Sequence, residues 1–351
     1  MEFAIHLAAN GPVKYAIAKI GVDLHIFELL TESDGPLTAS QIADRVAGAP
    51  KLLTERILRT QAALHLIDQS GADTFQSNRV TELLSNPDIN SLLLFQQPIF
   101  GPAYQALPEF LRARKYQNAV ADDVTAFQVA FNTELTFPEF VKRHPEHLGN
   151  LHKSMQQTYG SQWTDEFPVE KKLGQWDEDG NERPLLVDIG GGRGQQASAF
   201  KKKFPHLPGR VIVQDRAEVI DRAVGIDGVE FMVHDFFKAQ PVLGAKFYYL
   251  RFVLHDWPDD LCVKILTSIV PAMGPHSCII LDEMILPDIG MSFWAAFMDT
   301  AMLAASGGSE RSAEDWVTLL DRAGLRMLEL LEYDPQNLSV IVAVPKQTED
   351  E

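Results

Sequence analysis

The sequence is short of three features that mark particular classes of protein. It has two cysteines, Cys262 and Cys278, in 351 residues. A disulfide framework or a cysteine-rich metal site is therefore excluded, and we expect a reducing compartment. No apolar run approaches the roughly 18 residues that a membrane-spanning helix needs. Basic residues are also few: 31 Lys and Arg against 48 Asp and Glu leave a net charge of −17. This acidity disfavours nucleic acid or an anionic membrane as a partner.

What remains is the composition of a globular protein with room for more than one domain. Hydrophobic residues make up 46% and charged residues 23% of the chain, and 351 residues exceed the usual size of one domain. Charges interrupt the apolar stretches of the first 30 residues, and no cationic segment precedes a cleavage site. We therefore expect no signal peptide and a cytoplasmic location.

The pattern of residues 1–165 predicts helices almost throughout. Apolar residues from Ile17 to Leu30 recur at three- and four-residue spacing, which predicts one buried helical face. Thr38 is a candidate N-cap for the next helix, and short apolar runs around Ile67 and Phe75 predict a β-wing. The order helix, helix, wing is typical of the winged-helix fold. Residues 1–110 carry seven Lys and Arg against twelve Asp and Glu, so we expect dimerisation rather than DNA binding.

Residues 166–351 alternate short apolar runs with amphipathic helical stretches. This alternation predicts a doubly wound α/β domain with a parallel sheet, closed by a hairpin over Leu325–Leu331 and Leu338–Val344. Ligands of such sheets bind at the carboxyl ends of the strands. The predicted strands are Leu185–Ile189, Val211–Gln214, Val229–Val233, Phe247–Leu254 and Cys278–Leu281, and their ends carry Asp188, Asp215, Asp235, His255 and Glu283.

A glycine loop follows the first of these strands. Gly190, Gly191 and Gly192 let the backbone approach a ligand closely just before a helix begins. The segment from Gly192 to Ala197 also satisfies the dinucleotide-binding pattern, so an NAD-dependent oxidoreductase is a competing interpretation. Asp188 favours a ligand with a cationic amino group over a pyrophosphate, which it would repel.

Two further acids suit a nucleoside. Asp215 can accept hydrogen bonds from both ribose hydroxyls of either cofactor. Asp235 can accept from an adenine amino group while Phe236 packs on the ring, although an N-cap role explains Asp235 equally well.

Four segments together resemble one family. They are Val-Asp-Ile-Gly-Gly-Gly-Arg-Gly, Phe204-Pro-His-Leu-Pro-Gly-Arg-Val-Ile-Val-Gln-Asp215, Tyr248-Tyr-Leu-Arg-Phe-Val-Leu-His-Asp-Trp-Pro258 and Gly307-Gly-Ser-Glu-Arg-Ser312. The sequence resembles the S-adenosylmethionine-dependent O-methyltransferases of the caffeic acid type, in their fungal secondary-metabolism branch. The resemblance implies a Rossmann-like methyltransferase domain over residues 166–351 and a mainly helical winged-helix dimerisation domain over 1–165. It also implies a homodimer that acts on a small aromatic or polyketide-type molecule.

The resemblance also implies roles for individual residues. It places S-adenosylmethionine on Gly190, Gly191, Asp215, Asp235, Phe236 and Arg251, and we add Asp188 and Gly192 from the loop. It makes His255 the general base and assigns Glu283 and Glu310 to hold that base. A phenol has a pKa near ~10, so at neutral pH a base must take its proton as the methyl group is transferred. This mechanism needs no metal.

Candidates for substrate contacts are aromatic, methionine and acidic residues near this site. They are Phe127, Phe131, Met155, Tyr159, Trp163, Asp256, Met298, Asp299 and Met302. Two more functions are compatible with the sequence: a homologue that keeps the cofactor but acts as a pericyclase or lyase, and a binding protein without turnover. Homologues of the first kind typically lose the catalytic histidine, whereas His255 is present here.

Overall fold

A computed structural model describes residues 11–46, 48–117, 124–156, 162–174 and 183–346. The chain forms two compact units. The first lies within Met1–Pro102 and Pro138–Gln157, and the second within Ala103–Phe137 and Thr158–Glu351. This division differs from the single predicted boundary after residue 165, because Ala103–Phe137 belongs to the second unit and Pro138–Gln157 to the first. Among the described residues, no helix is both long and apolar enough to cross a bilayer.

The first unit is helical with a small three-stranded sheet. Its strands pair in the order β1–β3–β2, all antiparallel, and the β2–β3 hairpin confirms the predicted wing. Phe27, Ile42, Leu58 and Phe75 are fully buried in its core. The elements are α1 (Gly11–Asp23), α2 (Ile26–Thr31), β1 (Leu37–Thr38), α3 (Ala39–Ala43), α4 (Lys51–Ala63), β2 (Asp68–Gly71), β3 (Thr74–Gln76), α5 (Arg79–Leu84), α6 (Pro87–Ala113, which ends in the second unit), α8 (Phe137–Lys142) and α9 (Pro145–Gln156).

Local signals explain two helix boundaries in this unit. Thr38 caps α3: its hydroxyl accepts from the backbone N–H of Gln41, and the Gln41 side chain accepts from the Thr38 N–H. The single helical face predicted from Ile17 to Leu30 is wrong, because the helix is broken. His25 has a φ of 53°, in the left-handed region, so α1 ends at Asp23 and α2 begins at Ile26.

The second unit is built on one large sheet with the strand order β10–β11–β8–β7–β4–β5–β6. Strands β4 to β8 pair in parallel, and the antiparallel β10–β11 hairpin confirms the predicted end of the sheet. The strands are β4 (Pro184–Ile189), β5 (Arg210–Asp215), β6 (Val229–Val233), β7 (Phe247–Arg251), β8 (Cys278–Leu286), β9 (Arg311–Ser312, paired with β8), β10 (Leu325–Asp334) and β11 (Leu338–Pro345). The helices are α7 (Ala126–Phe131), α10 (Trp163–Glu166), α11 (Val169–Leu173), α12 (Gln195–Lys203), α13 (Ala217–Ile220), α14 (Asp259–Ile269), α15 (Phe293–Ala305) and α16 (Ala313–Arg322).

Hydrophobic cores cover both faces of this sheet. Val187 and Tyr248 belong to one core, while their neighbours Leu186 and Phe247 belong to the other, because successive strand residues point to opposite faces. A sheet buried on both faces offers its ligand site at the carboxyl ends of its strands. The strand order reverses between β4 and β7, so a ligand is expected in the crevice at that switch point.

Candidate active site

The predicted polar residues cluster at this edge, although one of them lies elsewhere on its strand than predicted. Asp188 is in β4 and Asp215 is the last residue of β5, while Asp235 follows β6. His255 lies in a 3₁₀ turn, Leu254–Asp256, after β7. Glu283 was expected at a strand end but lies inside β8, because pairing with β11 continues to Met284 and pairing with β9 extends the strand to Leu286.

Two residues of the glycine loop, Gly190 and Gly191, have no space for a side chain. At Gly190, where φ is 71°, a Cβ atom would come within 2.9 Å of a Val253 methyl group. At Gly191 it would come within 2.4 Å of the Asp188 carboxyl carbon. The Gly192 N–H donates to Asp215 Oδ2 at 2.9 Å, which ties the loop to the end of β5. The loop backbone is therefore packed closely against Val253 and Asp188 and fixed to the end of β5.

Asp188 is the most unusual acid of the site. It is 1% exposed, and its Oδ2 has no hydrogen-bond partner among the described residues. Burial raises the pKa of its carboxyl group to about 7, and the nearby charge of Asp215 adds to the shift. A buried carboxylate oxygen without a partner is rare in proteins, and a cationic ligand group would satisfy it.

The two remaining nucleoside candidates are differently placed. Asp215 accepts from the backbone N–H groups of Gly192 and Arg216, and burial raises the pKa of its carboxyl group. Asp235 is half-exposed, and its Oδ1 accepts from the Phe237 N–H at 3.1 Å. The Phe236 ring packs edge-on against Phe237, with centroids 5.0 Å apart. The other carboxylate oxygen, Oδ2, lies 3.9 Å from Lys238 Nζ.

Arg251 is held by a buried network that sequence reasoning missed. Its Nη1 donates to Asp282 Oδ2 at 2.7 Å and to the Tyr333 hydroxyl at 3.2 Å. Asp282, fully buried, also accepts from the hydroxyls of Tyr249 and Tyr333 at 2.6 and 2.7 Å. The Arg251 side chain keeps 20% of its surface exposed. The predicted contact of Arg251 with cofactor stays a prediction. Tyr333 is in β10, far along the chain, so no local motif indicated the network.

His255 is buried against a carboxylate. It is 6% exposed, and its Nδ1 lies 2.8 Å from Glu310 Oε1, whose residue is 5% exposed. The Phe252 ring stacks on the imidazole with centroids 5.2 Å apart. Burial by itself lowers the pKa of His255, but the negative charges of Glu310 and Asp256 outweigh it and raise the pKa to about 10. The structure thus brings the predicted base and one of its predicted partners together.

Glu283 accepts hydrogen bonds from the backbone that leads into the same turn. Its Oε1 accepts from the backbone N–H groups of Val253 and Leu254 at 3.1 and 3.0 Å. Its Oε2 has no partner in the described part of the chain, and burial raises the pKa of the carboxyl group to about 7. One ring nitrogen of His255 and one carboxylate oxygen each of Glu283 and Glu310 lie within 4.8 Å of one another. Glu283 therefore holds the backbone that carries His255, while Glu310 holds its ring.

The substrate candidates fall into three groups. Asp299 accepts from the Glu310 N–H at 3.0 Å, and Asp256, half-exposed, has its Oδ1 3.7 Å from His255 Nε2. Trp163 is fully buried and stacks on Tyr249, with centroids 4.7 Å apart. On helices of the second unit, Phe127 is fully buried with its ring centroid 4.7 Å from that of Phe131, Met298 is partly buried and Met302 is buried. Met155 lies in α9, where only its backbone is described. Tyr159 lies outside the described residues.

The chain matches two family models. The O-methyltransferase domain model matches residues 117–326, and the O-methyltransferase dimerisation domain model matches residues 8–86. The chain belongs to the O-methyltransferase family. One curated relative, demethylsterigmatocystin 6-O-methyltransferase of Aspergillus parasiticus, is 43% identical over 340 residues, which span 97% of this chain and 87% of that protein.

Solved structures are also similar over nearly the whole chain. The structure of LepI in complex with SAM superposes with a TM-score of 0.90 at 33% identity, covering 98% of this chain and 89% of the other. A structure described as a pericyclic reaction enzyme superposes with a TM-score of 0.89, at the same identity and coverage.

These comparisons confirm several expectations. The fold class is confirmed: a Rossmann-like α/β methyltransferase domain with an N-terminal dimerisation domain. The enzyme class and the cofactor, S-adenosylmethionine, are confirmed as well. The residues fit this cofactor, since the buried Asp188 Oδ2, which has no partner among the described residues, suits a cationic amino group.

Proposed function

We propose that the protein moves a methyl group from S-adenosylmethionine to a hydroxyl of a phenolic or polyketide-type natural product, with His255 as the general base. The observation that carries this proposal is the 2.8 Å contact between His255 Nδ1 and Glu310 Oε1, two residues that are both buried. A buried carboxylate on one ring nitrogen is the arrangement by which proteins orient a catalytic imidazole.

The contact assigns a task to each ring nitrogen. When His255 is neutral, Glu310 retains the proton on Nδ1, so Nε2 is the nitrogen that can accept the hydroxyl proton. The charge of Glu310 then stabilises the imidazolium that forms. Glu283 keeps the turn in place through the N–H groups of Val253 and Leu254.

The cofactor, when bound, supplies an electrophilic methyl group on a sulfonium. Asp188, the glycine loop and Asp215 would hold it at the ends of β4 and β5; the buried Asp188 oxygen that lacks a partner among the described residues supports this placement. Asp235, Phe236 and Arg251 complete the proposed cofactor set, and Asp256 and Asp299 are the proposed substrate contacts nearest to His255 and Glu310.

The raised pKa of His255 gives the proposal a pH dependence. With a pKa raised to about 10, His255 is mostly protonated at neutral pH, and the share of neutral imidazole grows as the pH rises. We therefore expect kcat to increase with pH through the neutral and alkaline range, as the base form becomes more abundant.

His255→Gln tests the assignment, with His276→Gln, at an exposed position outside the site, as its matched control. We expect kcat of His255→Gln to fall at least ~10²-fold while the affinity for S-adenosylmethionine changes little. Activity should partly return at alkaline pH, where a phenolate forms in solution. Near-normal methylation by His255→Gln at neutral pH would show that His255 is not the base.

The acceptor class is part of the proposal and rests on a relative named for methylating demethylsterigmatocystin. A panel of phenols and polyketides, incubated with S-adenosylmethionine, should give at least one product heavier by the mass of CH2 in mass spectrometry, because the methyl group replaces the hydroxyl proton. A second candidate, a cofactor-assisted pericyclic reaction, is favoured by the similar structure described as a pericyclic reaction enzyme. That reaction would give a product of unchanged mass, so the same measurement separates the two.

We also propose that the protein is a homodimer assembled through its N-terminal domain, with the predicted domain boundary near residue 165. The match of residues 8–86 to the dimerisation domain of the family supports this assembly. Light scattering should give twice the mass of one chain at micromolar concentration. A stable monomer there contradicts the proposal.

A further inference from the structure

The turn that carries His255 is enclosed by the loop Gly307–Glu310 and by Arg311, the residue that follows it. The Ser309 N–H donates to the carbonyl of His255 itself, at 3.1 Å. Glu310 then meets the ring of His255, and the Glu310 N–H is fixed by Asp299 at 3.0 Å. The loop therefore touches both the backbone and the side chain of the proposed base.

Arg311 donates two hydrogen bonds to the backbone of the same turn. Its Nη1 donates to the carbonyl of Leu254 at 3.1 Å, and its Nη2 donates to the carbonyl of Trp257 at 2.9 Å. These two carbonyls flank His255 on either side. Arg311 is 3% exposed, and its backbone pairs with β8 at Ile285, two residues after Glu283. Arg311 thus links the turn, through its guanidinium group, to β8, with which its backbone pairs.

The fit between loop and turn leaves no space at Gly308. A Cβ atom there would lie 2.0 Å from the carbonyl oxygen of His255 and 2.9 Å from the carbonyl carbon of Asp256. These are backbone atoms, which cannot rotate away as a flexible side chain can. A residue larger than glycine must therefore push the Glu310 loop away from the His255 turn.

We propose that Arg311 is a positioning residue for His255. Together with Gly308 it forms a clamp that holds the turn 254–257 against the Glu310 loop, so that the Glu310 carboxylate stays within hydrogen-bond distance of the imidazole. This inference rests on the proposed base role of His255. It adds a device that sets the geometry of the base without touching substrate or cofactor.

The shape of the guanidinium distinguishes this role from a simple ion pair. Arg311 also pairs with Asp259, at 2.8 Å, but the Asp259 side chain is 55% exposed, and exposed partners contribute little to stability. The planar fork is what reaches two carbonyls three residues apart at once. A lysine keeps the charge but cannot span both, because its ammonium is a compact point on a flexible stem.

Arg311→Lys is the first test, with Arg322→Lys as its control. Arg322 also pairs with Asp259, at 3.6 Å, and with Asp260, and no contact of its side chain with the turn carbonyls occurs among the described residues. We expect Arg311→Lys to lower kcat at least ~10-fold, to leave the Kd for S-adenosylmethionine within about twofold, and to move the pKa of His255 measured by imidazole NMR. Arg322→Lys should change none of the three. An unchanged kcat and an unchanged His255 pKa in folded Arg311→Lys would overturn the proposal.

Gly308→Ala is the second test. It can still refute the proposal if Arg311→Lys does not fold. Its control is Gly274→Ala, where the added Cβ meets its nearest atom at 3.6 Å, an ordinary contact. We expect Gly308→Ala to lower kcat and to change the His255 pKa, because the loop and the turn move apart. A normal His255 pKa in folded Gly308→Ala would overturn the clamp.

The NMR measurement also separates the two proposals. If His255→Gln keeps its activity, the base role fails. A shifted His255 pKa in Arg311→Lys would then still support the clamp, since that readout does not depend on methyl transfer.

Discussion

Replacing Glu310 with glutamine removes the charge that faces His255 while keeping the size of the side chain. In the native protein the Nδ1–Oε1 distance is 2.8 Å, and both groups are almost fully buried. The amide oxygen of a glutamine can still accept from Nδ1–H. The change therefore isolates the electrostatic effect of the carboxylate on the imidazole.

The size of the effect follows from the balance of forces on His255. Burial opposes the charged imidazolium, and the carboxylates of Glu310, Asp256 and Glu283 favour it, with a net pKa of about 10. An opposite charge at this distance is worth about 1–3 pKa units. We therefore expect Glu310→Gln to lower the pKa of His255 by about that amount. At neutral pH the neutral imidazole becomes more abundant, but it is a weaker base.

The assay is the pH profile of kcat, measured beside imidazole NMR of His255, with Glu314→Gln as control because Glu314 is exposed on α16. In Glu310→Gln the rise of kcat should occur at lower pH and reach a lower plateau, since the base is weaker. Glu314→Gln should follow the native profile. A profile for Glu310→Gln that stays in place, or moves to higher pH, would refute the electrostatic coupling of the pair.

Three other substitutions test the remainder of the site. Asp215→Ala should weaken S-adenosylmethionine binding by ~1–3 kcal/mol in calorimetry, because charge-assisted hydrogen bonds to ribose are lost; unchanged affinity contradicts the assignment. Asp188→Asn should weaken binding too. The pKa of Asp188 is raised in the folded state, so the native protein loses stability as the pH rises from about 4 to about 7. Asp188→Asn lacks this titration. The difference in melting temperature, Asp188→Asn minus native, should therefore rise over that pH range and then level off. Asp282→Asn should destabilise the protein by ~3–5 kcal/mol in denaturant unfolding, since Arg251 loses a buried partner; a loss below ~1 kcal/mol contradicts that account.

Local patterns in the sequence were sufficient for much of the architecture. Alternation of short apolar runs with helices predicted the sheet, because residues buried on both faces must be apolar along the whole strand. The glycine loop after β4, the capping residue Thr38 and the final hairpin follow from neighbouring residues alone, and the structure has all three. The family resemblance, carried by short motifs, predicted which residues to examine as base and partners.

Tertiary structure decided what depends on residues far apart in the chain. Glu283 lies inside β8 because β11 pairs beyond the apolar run, a contact that no local pattern contains. His255 and Glu310 are 55 residues apart, and their 2.8 Å contact exists because Arg311 and Gly308 hold a loop against a turn. The raised pKa of His255 also depends on the tertiary structure, because the carboxylate of Glu310 is close to the imidazole only in the folded chain. Burial of the pair removes the water that would screen this attraction.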